Sequence, residues 1–188
     1  MKNLLLISEY FYPEEFGIND LILDLKSKNY KIHVLTQTPS YPYDKPYDGY
    51  NNKLFQIEEH DGITIYRVYD LLWRKKSFLP KTLGYLFFSF LASISLFFLK
   101  RKKFDSVFVY QVGPLTQIIP ALFSKLFFGN KITIWILDLW PYTVYGFGLK
   151  KNFISKFILN IFCKISYNFS DNILVSNEGF ADKINHYA

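Results

Sequence analysis

Two short stretches hold residue types that can do chemistry on a polar ligand. In LDLWPYTVYGFG, Asp138 follows the apolar run KITIWIL, so a carboxylate stands where a buried strand should end. Such a carboxylate can orient a hydroxyl or accept its proton. The place equally suits a structural aspartate that braces the Trp140–Pro141 loop. In SEYFYPEEFGIND, Gly17 comes just before a run with helical spacing. A glycine there leaves the first backbone N–H groups of the helix open to oxyanions, which the dipole favours. It can also serve only the turn's backbone angles. Trp140, Tyr142 and Tyr145 have rings that can cover an apolar sugar face, or simply pack their loop. Tyr12, Pro13 and Glu14, then Thr38, Tyr41 and Pro42, fall in two further loops, and Gly113–Pro114 makes another small turn.

The elements that must carry these residues alternate. NLLLIS (3–8) is short and wholly apolar, as a buried strand is, and 18–29 places Ile18, Leu21, Ile22 and Leu25 at helical spacing. A second strand is expected at 31–36, then a proline-punctuated loop. Asp61–Gly62 sits between two runs of strand character within 53–70, which predicts a β-hairpin. A helix starting near Pro80, a strand at 105–111, a helix at 113–129, a strand at 131–137, a loop at 138–148, a helix at 152–170, a strand at 171–177 and a last helix from Glu178 complete the pattern. Strands alternating with helices imply an α/β fold: a Rossmann-like parallel sheet with helices on both faces, plus the hairpin insertion. Ligands of such sheets lie beyond the carboxyl ends of the strands. Every candidate named above falls in one of those loops.

The 188 residues make one domain, with half the residues hydrophobic and a fifth aromatic, too apolar for disorder. Cys163 is the only cysteine, which removes intramolecular disulfides and Cys-based zinc sites, and His33, His60 and His186 have no metal spacing. No metal is expected. The start, MKNLLLIS, has too short an apolar run for a signal peptide, so a cytoplasmic location is expected. G-x-G-x-x-G after the first strand, the P-loop pattern and the G-x-S-x-G elbow are all missing. A net charge of +6 suits anionic partners. Nucleic acid is not expected among them, because the basic residues interleave with Phe and Leu beside a helix rather than lining an aromatic platform.

The stretch RKKSFLPKTLGYLFFSFLASISLFFLKRKK (74–103) is ambiguous by itself. Leu83 to Leu99 carry no charge, and Arg74, Lys75, Lys76 and Lys81 precede them while Lys100, Arg101, Lys102 and Lys103 follow. Seventeen residues are at the lower edge of a bilayer span. The charges are balanced at the two ends, and the helix falls between two strands of one sheet. At 100° per residue, Leu86, Phe87, Phe90, Leu91, Ile94, Phe97 and Phe98 form a bulky half, and Gly84, Ser89, Ala92, Ser93 and Ser95 fall on the other. One half can pack on the sheet while the other stays greasier than a solvated face. The expectation is a crossover helix that also meets a membrane surface. Arg67 and the flanking basic residues are candidates for lipid phosphates.

The segments LLLISEYFYPEEFGIND, VLTQTPSYP with YDGY, ITIYRV, IWILDLWPYTVYGFG and DNILVSNEGF resemble, in order and spacing, the N-terminal domain of GT-B glycosyltransferases. The family-4 retaining enzymes of capsule, O-antigen and exopolysaccharide synthesis are the nearest in look. The resemblance implies an acceptor-side domain over 1–188, and a C-terminal nucleotide-sugar domain lying outside this chain or on a partner chain. It implies a hexosyltransferase-type enzyme inactive as this domain alone, with a nucleotide-sugar as co-substrate rather than a cofactor. Its acceptor would be a lipid-diphosphate-linked saccharide, and its location peripheral at the inner membrane face. By the same resemblance Gly17 and Gly113 would meet the donor diphosphate and Asp138 the reacting hydroxyl. Tyr12, Pro13, Glu14, Thr38, Tyr41, Trp140 and Tyr142 would line the acceptor site. The chain departs from the family pattern at Phe16, where a second glycine is common, at Leu137, where a histidine is common, and at Tyr142, where an acidic residue is usual.

Overall fold

The computed structural model describes residues 2–72, 77–99 and 103–187. Among the described residues seven strands, numbered in chain order, form one sheet in the order β3-β4-β2-β1-β5-β6-β7. The chain starts in the middle with β1 (Lys2–Ile7), whose last four residues are buried. It steps outward through α1 (Ile18–Ser27) to β2 (Tyr30–Gln37) and then to β4 (Ile63–Val68). It then returns past β1 through α2 (Phe78–Leu99) to β5 (Ser106–Gln111), β6 (Lys131–Ile136) and β7 (Asn172–Val175). All neighbours pair in parallel except β3 (Phe55–His60), which runs antiparallel to β4 at the edge. The expected hairpin is therefore part of the sheet: Asp61 and Gly62 turn the chain with positive φ, and β4 becomes the third parallel strand on that side.

The helices cover both faces, as the α/β expectation required. Ile18 and Ile22 of α1 join Leu4, Leu6, Ile32 and Val34 in one core. On the opposite face, α2, α3 (Ile119–Phe128), α5 (Phe153–Phe169) and α6 (Glu178–Ile184) pack on Leu5, Ile7, Val107, Val109, Ile132 and Ile134. Local signals set the helix ends. Asn152 accepts from the Ser155 amide while the Ser155 hydroxyl accepts from Asn152, a reciprocal cap that starts α5. The expected helix over 113–129 is split: Leu115–Ile118 is a 3-10 turn, and α3 follows with Pro120 in its first turn, where a missing N–H costs nothing. The loop expected at 138–148 contains a short α4 (Tyr142–Gly146).

The long helix α2 meets the length and composition of a membrane span. Its small half, however, is packed on the sheet. Phe88, Ser89, Ala92, Ser95, Leu96 and Leu99 are buried, because small side chains bring the helix backbone close to the strands. Its serines lose nothing there: the Ser89 hydroxyl donates to the carbonyls of Tyr85 at 2.9 Å and Thr116 at 2.8 Å, and Ser95 donates to that of Leu91. The bulky half points outward. Leu86, Phe90, Ile94, Phe97 and Phe98 are all exposed, Phe98 by 76%. The flanking strands β4 and β5 belong to one sheet, a geometry incompatible with α2 crossing a bilayer.

Candidate functional site

The switch from outward to returning chain falls between β1 and β5, and the crevice beyond the carboxyl ends of these strands is where such sheets take ligands. Three loops meet there. The first, after β1, holds Tyr12, Pro13, Glu14 and Gly17. The second, after β2, holds Thr38 and Tyr41. The third region joins the end of β5 to the end of β6, with Gly113, Asp138 and Trp140. The peptides preceding Pro13, Pro42 and Pro141 in these loops are cis.

Glu14 ties the first loop to the second. Its carboxylate is buried and accepts from the amides of Ser40 at 3.0 Å, Tyr41 at 2.7 Å and Phe11 at 3.3 Å. It holds protein backbone rather than lining an open pocket. The Thr38 hydroxyl is likewise turned into the protein, donating to the Val68 carbonyl at 3.4 Å. Tyr12 stacks on His60 of β3 with ring centroids 3.6 Å apart, and Pro13 is half-buried beside it. Tyr41 does reach the mouth of the crevice. It is 44% exposed and meets Tyr10 edge-on, while Tyr10 stacks on Phe16, the neighbour of Gly17.

Arg67, read from sequence as a phosphate ligand, is fully buried. Its guanidinium donates to Glu58 at 2.6 Å, to the Gln37 carbonyl at 3.2 Å and to the Tyr12 carbonyl, and it lies over the Tyr50 ring. A fork with fixed geometry can join β3, β2 and the first loop at once, which leaves it nothing for a lipid. Burial is also the main reason the Tyr50 and Tyr47 hydroxyls titrate above their ordinary value, with Arg67 opposing the shift at Tyr50 and Glu14 adding to it at Tyr47.

Asp138 and Gly113 clasp each other. The Gly113 amide donates to the Asp138 carboxylate, and the Gly113 carbonyl accepts from the Gln111 side chain at 2.7 Å and the Trp140 indole at 3.2 Å. Gly113 has φ +89, a left-handed conformation that explains the glycine. Its amide, offered by the sequence reading to a phosphate, is engaged within the protein. The carbonyl of Trp140 accepts from Tyr167 at 3.2 Å, and burial first, then the nearby Cys163, holds the Tyr167 hydroxyl far above its ordinary titration range. Tyr142 lies on the surface, with Lys183 over its ring at 6.0 Å.

Gly17 is different. Its φ is −58, a conformation open to any residue, and a Cβ built on it would meet nothing within 4 Å. Neither backbone strain nor packing asks for glycine. Having no side chain, it gives the start of α1 no side-chain cap; within the first turn the Asn19 amide donates to the Phe16 carbonyl at 2.9 Å, and Ile18 is buried.

Three buried polar residues join this edge that sequence reasoning passed over. Glu9 follows β1, Gln111 ends β5 and Gln117 lies in the 3-10 turn. The Gln117 side chain accepts from the Glu9 amide at 3.0 Å and donates to the Val112 carbonyl at 2.7 Å. The usable signal was position: Glu9 is the first charged residue beyond β1, and Gln111 the only polar residue between Ser106 and Gly113.

Lys103 is exposed, and the Asn3 side chain donates to its carbonyl at the amino edge of the sheet, away from the crevice. Arg74, Lys75, Lys76, Lys100, Arg101 and Lys102 lie outside the described residues.

Against the crevice lies an apolar groove of about 630 Å³, walled by α2, α4 and α5 and reaching Gly113 and Trp140.

No family model matches the chain, and no curated protein does. Among solved structures, the fold is similar to that of trehalose-6-phosphate from E. coli bound with UDP-2-fluoro glucose, at a TM-score of 0.59 and 14% identity. That match covers 98% of this chain and 42% of the other, and the α/β, Rossmann-like architecture it shares is one half of a GT-B fold.

Proposed function

We propose that this chain is the acceptor-binding half of a glycosyltransferase that moves a sugar from a nucleotide-sugar to a lipid-diphosphate-linked saccharide in surface polysaccharide synthesis. The observation that carries the reading is Gly17: a glycine with no conformational or steric need, at the uncapped start of a ten-residue helix, beside the crevice of a Rossmann-like sheet. Backbone amides at a helix start suit a diphosphate. The similar E. coli structure is bound with a UDP-sugar, which supports a nucleotide-sugar as donor. Tyr41, Trp140 and the free side of Asp138 supply the acceptor side.

The chemistry needs little from this half beyond placement. Asp138, fixed by the Gly113 amide, orients the acceptor hydroxyl, and α1 stabilises negative charge on the leaving diphosphate. Membrane seating is part of the reading. Residues 71–170 carry fourteen Lys and Arg against two Asp and Glu, and their helices present the apolar outer face of α2. A segment so basic in sequence, with an apolar outer helix face, suits the cytoplasmic leaflet of a membrane.

The test is an amide-resolved NMR titration of the chain with a UDP-sugar and with inorganic phosphate. The Gly17 and Ile18 amides should shift with the UDP-sugar, and Gly17→Val should abolish the shift. Shifts confined to other parts of the chain would overturn the reading.

A second reading is a non-catalytic, membrane-associated scaffold, or a subunit of a split transferase. The clasp between Asp138 and Gly113 favours it, since both groups are engaged within the protein.

A further inference from the structure

We infer that the groove between α2 and α4–α5 seats the hydrocarbon chain of the lipid-diphosphate acceptor, with Lys81 taking its phosphate. This rests on the reading of the chain as an acceptor-binding domain, and it assigns the part of the substrate that the sugar crevice does not.

The groove holds about 630 Å³, within the size range of small-molecule sites. That room takes a segment of a chain and leaves the remainder in the bilayer. Its walls are Leu86 from α2, Ile119 from α3, Phe147 after α4, and Ile158, Leu159 and Phe162 from α5. A saccharide would find almost no hydrogen-bond partner along them, and a hydrocarbon needs none.

Two features name the occupant. First, the groove is continuous with the crevice, since it is lined by Gly113, whose amide Asp138 holds, and by Trp140, whose indole donates to the Gly113 carbonyl. A ligand lying in the groove therefore delivers its head to the candidate reacting edge. Second, among the described residues the charged side chain that lines it is a cation. Lys81 is half-buried in the first turns of α2 with its ammonium 5.8 Å from the Phe147 ring, and among the described residues no Asp or Glu lines the groove. An apolar trough with a cation in its lining complements a lipid phosphate.

The outer surface continues the trough. Ile154, Ile158, Ile161 and Ile165 form an exposed stripe along α5 at helical spacing, and Leu83, Leu86 and Phe90 form its counterpart on α2. A chain leaving the groove passes between these two stripes and enters a bilayer on which both helices rest, without crossing water.

The experiment titrates the chain with farnesyl diphosphate, with farnesol and with inorganic diphosphate, reading Trp140 fluorescence against a Trp140→Phe control. Farnesyl diphosphate should bind at least tenfold tighter than either fragment. Ile158→Glu, at a 59% exposed position, should fold normally and weaken binding at least tenfold. Lys81→Ala should erase the preference for the diphosphate over the alcohol. Farnesyl diphosphate binding no tighter than inorganic diphosphate would overturn the inference. So would wild-type protein that sediments as a dimer, with Ile158→Glu monomeric and unchanged in lipid binding, since the groove's occupant would then be a second copy. The two proposals separate cleanly. Loss of farnesyl diphosphate binding with the Gly17 amide still responding to a nucleotide-sugar removes the groove alone. The converse result removes the transferase reading alone.

Discussion

Replacing Phe90 and Phe98 together by alanine should detach the chain from vesicles without destabilising it. Both side chains stand on the outer half of α2, Phe90 at 59% and Phe98 at 76% exposure. Full burial of such a side chain is worth about 1.5–3 kcal/mol. An interfacial seat recovers part of that, about 1 kcal/mol each, so the double variant should bind vesicles roughly 30-fold more weakly. Its folding free energy should stay within about 1 kcal/mol, since exposed positions contribute little and alanine is the better helix former. The control lies two residues away. Phe88 is 1% exposed in the core under α2, and Phe88→Ala should cost about 3–5 kcal/mol through the cavity it leaves, with little direct effect on partitioning of the folded fraction. The assays are co-sedimentation with anionic vesicles and thermal unfolding. A double variant as unstable as Phe88→Ala that still sediments with vesicles would show the outer half of α2 to be a packing face, and the argument from its exposure would fail.

Four further outcomes follow from the geometry. Asp138→Asn should fold nearly as well as the wild type, because the amide oxygen can still accept from Gly113; Asp138→Ala should lose about 1–3 kcal/mol by stranding that N–H; in the assembled enzyme, turnover should fall in both, and unchanged turnover would remove Asp138 from the chemistry. Arg67→Leu should cost about 3 kcal/mol, and Arg67→Lys should not restore it, because an ammonium cannot span Glu58 and two carbonyls; chemical denaturation of both variants decides. Burial pushes the Cys163 thiol up to about 12, with Tyr167 opposing, so alkylation of the native chain at pH 8 should track global unfolding; rapid labelling would contradict its burial. Asp171 is held below its ordinary 3.8, first by the Ile132 amide and then by Lys125. Its contribution is present above 3.8 and fades as pH falls through the lower folded value, so Asp171→Asn should flatten the acid limb of the stability curve; an unchanged limb would refute the linkage.

The order of elements was legible because each strand is a short apolar run bounded by polar turns, and each helix shows its own spacing. Boundaries such as Ile18 and Asn152 were set by local chemistry, a glycine and a cap. What α2 buries was not legible. Periodicity divided it into a bulky and a small half, but the preference for the small half inward depends on how close the sheet lies. The short α4 was hidden within an aromatic loop, five residues with no room for a repeat. Roles at the site were the least legible. Glu14 meets amides 26 and 27 residues away, and nothing nearby in sequence says whether a carboxylate will find backbone or ligand. The two glycines make the same point. Gly113 is explained by its φ and Gly17 is not, a difference that only backbone geometry reveals.

The central claim is that this domain presents a lipid-linked acceptor for glycosyl transfer. The most direct measurement incubates the chain, assembled with the nucleotide-sugar-binding half that the proposal requires, with radiolabelled nucleotide-sugars and membranes carrying lipid-diphosphate saccharides, and follows label into the lipid fraction. The account predicts lipid-extractable label that disappears in Gly17→Val, a variant of unchanged stability. Undiminished transfer by Gly17→Val, or label passing only to water-soluble products, would contradict it.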